Sequence, residues 1–203
     1  MSDATTLNVS HETRQRLECY AALLEKWTPR INLVARSTLR EIWKRHIVDS
    51  AQVFGLIKHP VTHWADLGSG GGFPGLVVAI MAMERGTPAQ ITLVESDQRK
   101  CAFLHTVLRQ TGAQAAIVNK RIEDIAPLKA DVLSARALSD LSSLLGFAER
   151  HLDPGGVAVF HKGVSWRKEV LAAQRAWKFH YRVATSQTGE GSVILTITGV
   201  SRV

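Results

Sequence analysis

The 203-residue chain is 45% hydrophobic and 21% charged, enough apolar content to bury one full core, yet its apolar run from Gly75 to Met83 stops at Glu84-Arg85, too short to span a bilayer. Its 25 Lys plus Arg against 18 Asp plus Glu leave a formal net charge of +7, a balance that suits a polyanionic partner better than a neutral metabolite. Cys19 and Cys101 stand in no metal or redox spacing and residues 1–7 carry no basic-then-apolar leader, which argues against a zinc site, a disulfide framework, secretion or a membrane and for the reducing cytoplasm.

Ser10 is a candidate N-cap for a first helix that carries Leu17, Tyr20, Leu23, Leu24 and Trp27 at helical spacing and ends near Pro29. A second helix is expected from Ser37-Thr38, with Ile42, Trp43, Ile47 and Val48 on its apolar side, toward Phe54. Residues 1–60 thus read as a helical extension packed on a core domain of residues 61–203. From there strands are expected near 62–66, 91–95, 115–119, 131–135 and 156–161, with helices near 74–84, 97–111, 140–151 and 166–177. That alternation predicts an α/β fold: a mostly parallel central sheet with helices on both faces. Phe179 to Ser186 and Ser192 to Thr198, around Thr188-Gly189-Glu190-Gly191, read as a terminal antiparallel hairpin.

The densest signal is Asp66-Leu67-Gly68-Ser69-Gly70-Gly71-Gly72-Phe73-Pro74-Gly75, a strand-to-helix turn in which Pro74 suits the first helical position. Gly70-x-Gly72-x-x-Gly75 formally satisfies the dinucleotide fingerprint. Asp66, however, sets a carboxylate where a pyrophosphate would need amide donors, and a carboxylate suits a cationic amino-acid group better. That charge logic favours S-adenosylmethionine. Glu95 follows the next strand, roughly 20 residues beyond the glycines, where an acid accepts from ribose hydroxyls. A parallel nucleotide-binding sheet closed by an antiparallel hairpin is the plan of Rossmann-like class I methyltransferases and not the second half of a dehydrogenase.

The basic residues cluster. Lys26, Arg30, Arg36, Arg40, Lys44 and Arg45 form one set and Arg167, Lys168, Arg175, Lys178 and Arg182 another, an electrostatic footprint for phosphates if they share a face. Arg36, Arg40, Arg45, Arg167 and Lys168 are the candidate RNA contacts.

Several segments, in order, resemble one family, the glucose-inhibited division protein B family of bacterial small-subunit rRNA (guanine-7-nitrogen) methyltransferases. Trp27-Thr28-Pro29-Arg30-Ile31-Asn32-Leu33 is similar to its Trp-Asn-x-x-hydrophobic-Asn-Leu segment, with Thr28 in place of the first Asn. Arg45-His46-Ile47-Val48-Asp49-Ser50 resembles its Arg-His motif, Asp66 to Gly75 its glycine motif, and Arg121-Ile122-Glu123-Asp124, Ser134-Arg136-Ala137 and Lys162-Gly163 its later signals. Gly189-Glu190 is followed by Gly191-Ser192 where the family often carries Arg.

The resemblance implies methyl transfer from S-adenosyl-L-methionine, leaving S-adenosyl-L-homocysteine, to the 7-nitrogen of a guanine in 16S rRNA, free or in a small-subunit assembly intermediate. It implies that Gly68 and Phe73 line the cofactor cleft, where the glycine turn and charge pattern already place Asp66, Gly70 and Glu95, that Ile122 and Glu123 meet the adenine edge, and that Arg136 lies at the mouth. Arg136, Lys162 and His46 are the candidates for substrate positioning; no metal and no general base is expected. His46 and Asp49, three positions apart on the predicted helix, are expected as a structural hydrogen-bonded pair. Two other readings stand beside this one: a non-catalytic rRNA-binding or assembly factor on the same scaffold, and a small-molecule methyltransferase.

Overall fold

The computed structural model describes residues 7–189 and 191–203, so Glu190 of the hairpin turn and the start of the chain lie outside the described residues. The strands are β1 (His63–Leu67), β2 (Gln90–Val94), β3 (Ala116–Val118), β4 (Ala130–Arg136), β5 (Leu152–Lys162), β6 (Trp177–Thr185) and β7 (Val193–Arg202). They form one sheet in the order β3-β2-β1-β4-β5-β7-β6. The first five run parallel, and β7 is antiparallel to both β5 and β6. The central strands are parallel because they are covered on both sides: β1, β2 and β4 are buried almost end to end, as continuous apolar runs require.

Side-chain alternation sorts two cores. Trp64, Leu93, Val132 and Val159 face α1 (His11–Trp27), α2 (Asp49–Leu56), α3 (Gly75–Arg85) and α4 (Gln98–Thr111). Ala65, Leu133, Ala158 and Phe160 face α5 (Leu141–His151) and α6 (Trp166–Ala173). Among the described residues no helix is long and apolar enough to cross a membrane.

Helix α1 begins at the expected cap, with the Ser10 hydroxyl accepting from Thr13 N at 3.1 Å. It ends on Thr28, whose hydroxyl donates to Leu24 O at 2.7 Å, so the threonine that replaces the family's Asn serves the helix end. The helix is tied to the glycine turn: the Tyr20 hydroxyl donates to Gly71 O, and its ring stacks on Phe73 with centroids 5.2 Å apart.

Three local expectations are corrected. Pro74 precedes α3 rather than opening it, and Gly75 takes the first helical position because it lies directly over Asp66 and Leu93 of the sheet. The single helix expected from Ser37 is three stretches: a 3-10 helix (Arg36–Glu41), a π-helix (Trp43–Val48) and then α2. The wider π turn changes the helical register by which His46 and Asp49 are presented, a departure that apolar periodicity does not report. Helix α6 stops at Ala173 instead of continuing to 177, because Trp177 is drawn into the second core, packing over Gly146 and donating its indole N–H to Ser142 at 3.0 Å.

The end of β6 is fastened to α2. Gln52 Nε2 donates to Thr185 O at 2.7 Å, Gln187 N donates to Gln52 Oε1 at 3.0 Å, and the Ser186 hydroxyl donates to Asp49 Oδ1 at 2.8 Å. The hairpin therefore reaches the amino-terminal helices at the carboxyl edge of the parallel strands, the edge where open α/β sheets bind ligands.

Candidate active site

A cleft of about 600 Å3 opens at that edge, within the range of small-molecule sites (roughly 300–1,000 Å3). Gly68, Gly70, Phe73, Glu95, Ile122, Glu123, Arg136 and His46 all line it. Four of the loops at strand ends converge here, which is why residues scattered from 46 to 136 meet.

The glycine turn forms the floor. Gly68 and Gly70 have φ of +62° and +53°, and a Cβ on Gly70 would meet nothing nearer than Gly68 O at 3.7 Å, so its bare Cα faces open space. Glu95 is buried at the end of β2 and braces the turn: its Oε2 accepts from Gly70 N and its Oε1 from Asp97 N, both at 2.8 Å. Asn119 donates to the carbonyls of Glu95 and Ser96 at 2.9 and 3.0 Å, holding this corner from β3's side. Ile122, Glu123 and Asp124 form a short 3-10 turn in which Ile122 is buried and Glu123 exposed, an apolar face beside a solvent-facing carboxylate.

Asp66 is not in the cleft. It is wholly buried beneath the glycine turn, accepts from the Ser134 hydroxyl at 2.6 Å, and that hydroxyl in turn accepts from the Trp64 indole at 2.9 Å. Burial pushes its carboxyl up to about 6 despite these bonds. The expected contact with a cationic amino-acid group is therefore replaced by a structural role, bridging β1 and β4 under α3.

Arg136 organises the mouth. Its Nη2 donates to Arg45 O at 2.9 Å and to His46 Nδ1 at 3.0 Å, its Nη1 lies 3.6 Å from Asp49 Oδ2, and its guanidinium sits 5.7 Å above the Phe73 ring. His46 stacks on the same ring from 5.0 Å, with Nε2 2.9 Å from the Thr38 hydroxyl. The expected His46–Asp49 pair is thus split: each meets Arg136. Asp49 instead pairs with His161 at 3.2 Å and with Ser186, partners more than a hundred residues away. Burial opposes ionisation of Asp49, but His161, Arg136 and Ser186 together hold its carboxyl well below the usual range. The next residue in the wall, Ala137, has φ +51°, a conformation rare without glycine and concentrated at functional sites.

Burial, then the neighbouring Arg136, lowers His46 to about 4, against the opposing pull of Asp49. A histidine whose folded pKa is depressed from 6.5 stabilises the fold fully above 6.5 and loses that contribution as the pH falls toward 4. Relative to a His46→Gln variant, the wild type is expected to lose about 2 kcal/mol of unfolding free energy between pH 7.5 and pH 5. Urea unfolding at both pH values checks this, and parallel losses in the two proteins would refute it.

Lys162 lies off the cofactor cleft, on the lining of a smaller cavity beside it. It is buried, pairs with Glu169 at 2.6 Å and donates to Ser139 O at 3.0 Å, so it has no charge to spare for a phosphate. The candidate RNA contacts Arg36, Arg40, Arg45, Arg167 and Lys168 are all exposed, though Arg45 shares its charge with Glu41 at 2.6 Å. Arg36 follows the cleft-lining Ala35, whereas Arg167 and Lys168 open α6 just after Lys162-Gly163, which line the smaller cavity beside the cleft. Arg175 and Lys178 of the second set do not join them. Lys178 sits beside Trp177, which pairs with Arg202 at the far end of the sheet from the Thr185–Val193 pair. Arg175 lies at that far end too, between α6 and Trp177.

The cleft also draws on residues not expected in it from the sequence. Leu33, Val34 and Ala35 supply a wall from the amino-terminal segment, and Lys100, Lys120 and Arg121 a basic rim. Among the described residues no group of three or more His, Cys, Asp or Glu side chains is arranged to hold a metal ion.

The fold is shared with known methyltransferases. The TehB-like SAM-dependent methyltransferase of Corynebacterium glutamicum superposes with a TM-score of 0.59 at 12% identity, over 90% of this chain and 99% of that one. The M. jannaschii TYW2 in complex with AdoMet superposes at 0.58 with 11% identity, over 87% and 80%. The architecture is that of a class I, Rossmann-like methyltransferase. Sequence narrows the class: the family described as GidB, rRNA small subunit methyltransferase G, matches residues 13–194, and the chain belongs to it. A ribosomal RNA small subunit methyltransferase G of Ruegeria pomeroyi is 54% identical over 201 residues, 99% of this chain and 98% of that protein. The chain is accordingly an S-adenosylmethionine-dependent methyltransferase.

Proposed function

We propose that this enzyme methylates the 7-nitrogen of a guanine in 16S rRNA, free or in a partly assembled small subunit, in the cytoplasm. The observation that most supports it is the convergence of the glycine turn, Glu95, Ile122-Glu123 and Arg136 on one cleft, in a chain whose relatives carry the rRNA methyltransferase name.

The cleft suits the cofactor: the bare backbone at Gly70 admits its amino-acid portion, Glu95 accepts from ribose hydroxyls, and Ile122 and Glu123 offer adenine an apolar face and an acceptor. S-adenosylmethionine supplies a methyl group on a sulfonium, whose charge passes to the base on transfer. Guanine N7 carries a free lone pair, so no residue has to remove a proton, and the chain's part is positioning and charge placement. Phe73, clamped between Tyr20 and His46, makes a rigid wall. Arg136 is fixed by three partners before any substrate arrives. The described part of the 1–60 extension, residues 7–60, completes the cleft of the 61–203 domain, through Tyr20, Leu33 to Ala35 and His46.

The test is the mark itself. Deleting the coding sequence should remove one 7-methylguanosine from 16S rRNA, and purified enzyme with S-adenosylmethionine should restore it to the deletion strain's RNA or subunits. An unchanged mark in the deletion strain would sink the assignment. For the basic flank, Arg167→Glu with Lys168→Glu should weaken RNA binding and flatten the slope of log affinity against log salt by about 0.7–0.9 for each phosphate that the pair neutralises in the wild type, with cofactor affinity unchanged. A slope equal to the wild type's would take α6 out of the RNA interface.

A further inference from the structure

A second cavity, of about 250 Å3, lies beside the cofactor cleft and shares with it the wall formed by Arg136, Ala137 and Ser139. The ends of β4 and β5 and the start of α6 bound it, with Asp49, His161, Lys162 and Glu169 on its lining. It is smaller than sites for drug-sized ligands (roughly 300–1,000 Å3), a size that suits one heterocyclic base. Two buried polar atoms on lining residues, Arg136 Nη1 and His161 Nδ1, have no hydrogen-bond partner among the described residues. Buried polar groups in native proteins are nearly always satisfied, so two orphans on one cavity mark a place that a polar ligand completes.

The arrangement has a polarity. Arg136 Nη1 is a donor held in place, since Asp49 at 3.6 Å is close enough for charge but too far for a hydrogen bond. Glu169 is an acceptor held in place: Lys162 at 2.6 Å and Leu141 N at 2.9 Å occupy Oε2, while Oε1 receives only a 3.4 Å contact from Ser165. Guanine complements that pair, because O6 accepts and the N1–H and N2–H2 groups donate. Adenine inverts it, with an amino group at position 6 and a bare acceptor at N1.

We propose that this cavity is the subsite for the acceptor base, with Arg136 Nη1 donating to guanine O6 and the Glu169 carboxylate accepting from N1–H and N2–H2. The proposal rests on the guanine acceptor argued above. A base so held is out of its stack, as enzymes acting on a ring atom of a nucleic acid require. N7 adjoins O6, so the contact with Arg136 turns the reacting edge toward the wall shared with the cofactor cleft. The Asp49 carboxylate beside Arg136 then compensates for the positive charge that the base acquires.

The test uses small subunits reconstituted with 16S rRNA that carries guanosine or inosine at the mapped acceptor position. Inosine retains O6, N1–H and N7 and lacks only the 2-amino group. Methyl transfer by wild type and Glu169→Gln is measured as kcat and KM on both RNAs, with cofactor affinity and thermal unfolding measured in parallel. Inosine should lower the wild type's kcat/KM by roughly 10- to 100-fold, the effect of losing a hydrogen bond to a charged group. Glu169→Gln should lose a similar factor on guanosine and show a much smaller guanosine-to-inosine ratio, with cofactor affinity intact. If the Gln variant does not fold, Glu169→Asp, which keeps a charge for Lys162 but shortens the side chain, should show the same collapse of discrimination. Equal wild-type rates on both RNAs, or wild-type discrimination in a folded Glu169 variant, would overturn the subsite assignment while leaving guanine methylation standing. A wild-type enzyme that forms no 7-methylguanosine on the guanosine RNA would instead fail the guanine reading itself.

Discussion

Replacement of Gly75 by alanine is expected to lift the start of α3 off the sheet and to weaken cofactor binding at least tenfold. The added Cβ would collide with Leu93 Cδ2 and lie 2.7 Å from Asp66 Oδ2 and 2.9 Å from Asp66 Cβ. Leu93 and Asp66 are both fully buried, and the Asp66 Cβ is fixed to β1, so neither can retreat. Overpacking of this kind costs about 1–3 kcal/mol, and in a chain of this length each kcal/mol lowers Tm by about 2–4 °C. The functional loss exceeds the loss of stability, because the displaced helix carries the glycine turn with it. Gly55→Ala in α2 is the control: a Cβ there meets nothing within 4 Å, and alanine's better helix propensity should leave Tm equal or higher. Thermal unfolding with calorimetric titration of S-adenosylmethionine decides the matter. A Gly75→Ala protein that melts and binds like the wild type would mean that α3 has slack that this packing denies.

Arg136→Ala is expected to lower kcat/KM for methyl transfer by roughly 100- to 1,000-fold, the scale of losing a fixed electrostatic group at a reacting centre. The guanidinium serves four groups at once: Arg45 O, His46, Asp49 and the Phe73 face. Removal leaves Asp49 with His161 and Ser186, so its carboxylate stays partnered and the fold should survive. Arg136→Lys should rescue little, since one ammonium on a flexible stem cannot reproduce a planar fork that donates in two directions. Burial lowers the pKa of the guanidinium while Asp49 raises it, and a lysine in that setting would surrender its proton far more readily. Single-turnover methyl transfer at saturating cofactor is the measurement. Rates within threefold of wild type for Arg136→Ala would remove the residue from the reaction.

These two positions differ in how far they could be read from the chain. Gly75 belongs to a local pattern, acid, glycines and proline at a strand-to-helix turn, and a local pattern records local backbone needs. The strand alternation, the terminal hairpin and the Ser10 cap were legible for the same reason, because periodicity and turn chemistry act over a few residues. Convergence of Gly68, Phe73, Glu95, Ile122, Glu123 and Arg136 on one cleft followed from family motifs placed at strand ends.

Side-chain partnership was not legible. Asp66 looked like a ligand for a cation from its place before the glycines, but its partner Ser134 comes from a strand 68 positions away, and only sheet pairing buries the two together. Lys162 looked free until α6 returned Glu169 to it, and His46 looked paired with Asp49 until Arg136 came between them. The π turn at Trp43–Val48 changed the register between those residues without any mark in the apolar spacing. By itself, then, the sequence determined the order of the elements, the cofactor-binding edge and the family, since those depend on backbone conformation and on motifs a few residues long. Only the tertiary structure decided which charges are already paired and which remain for substrate, because long-range packing determines where a charge loses its water and what replaces it.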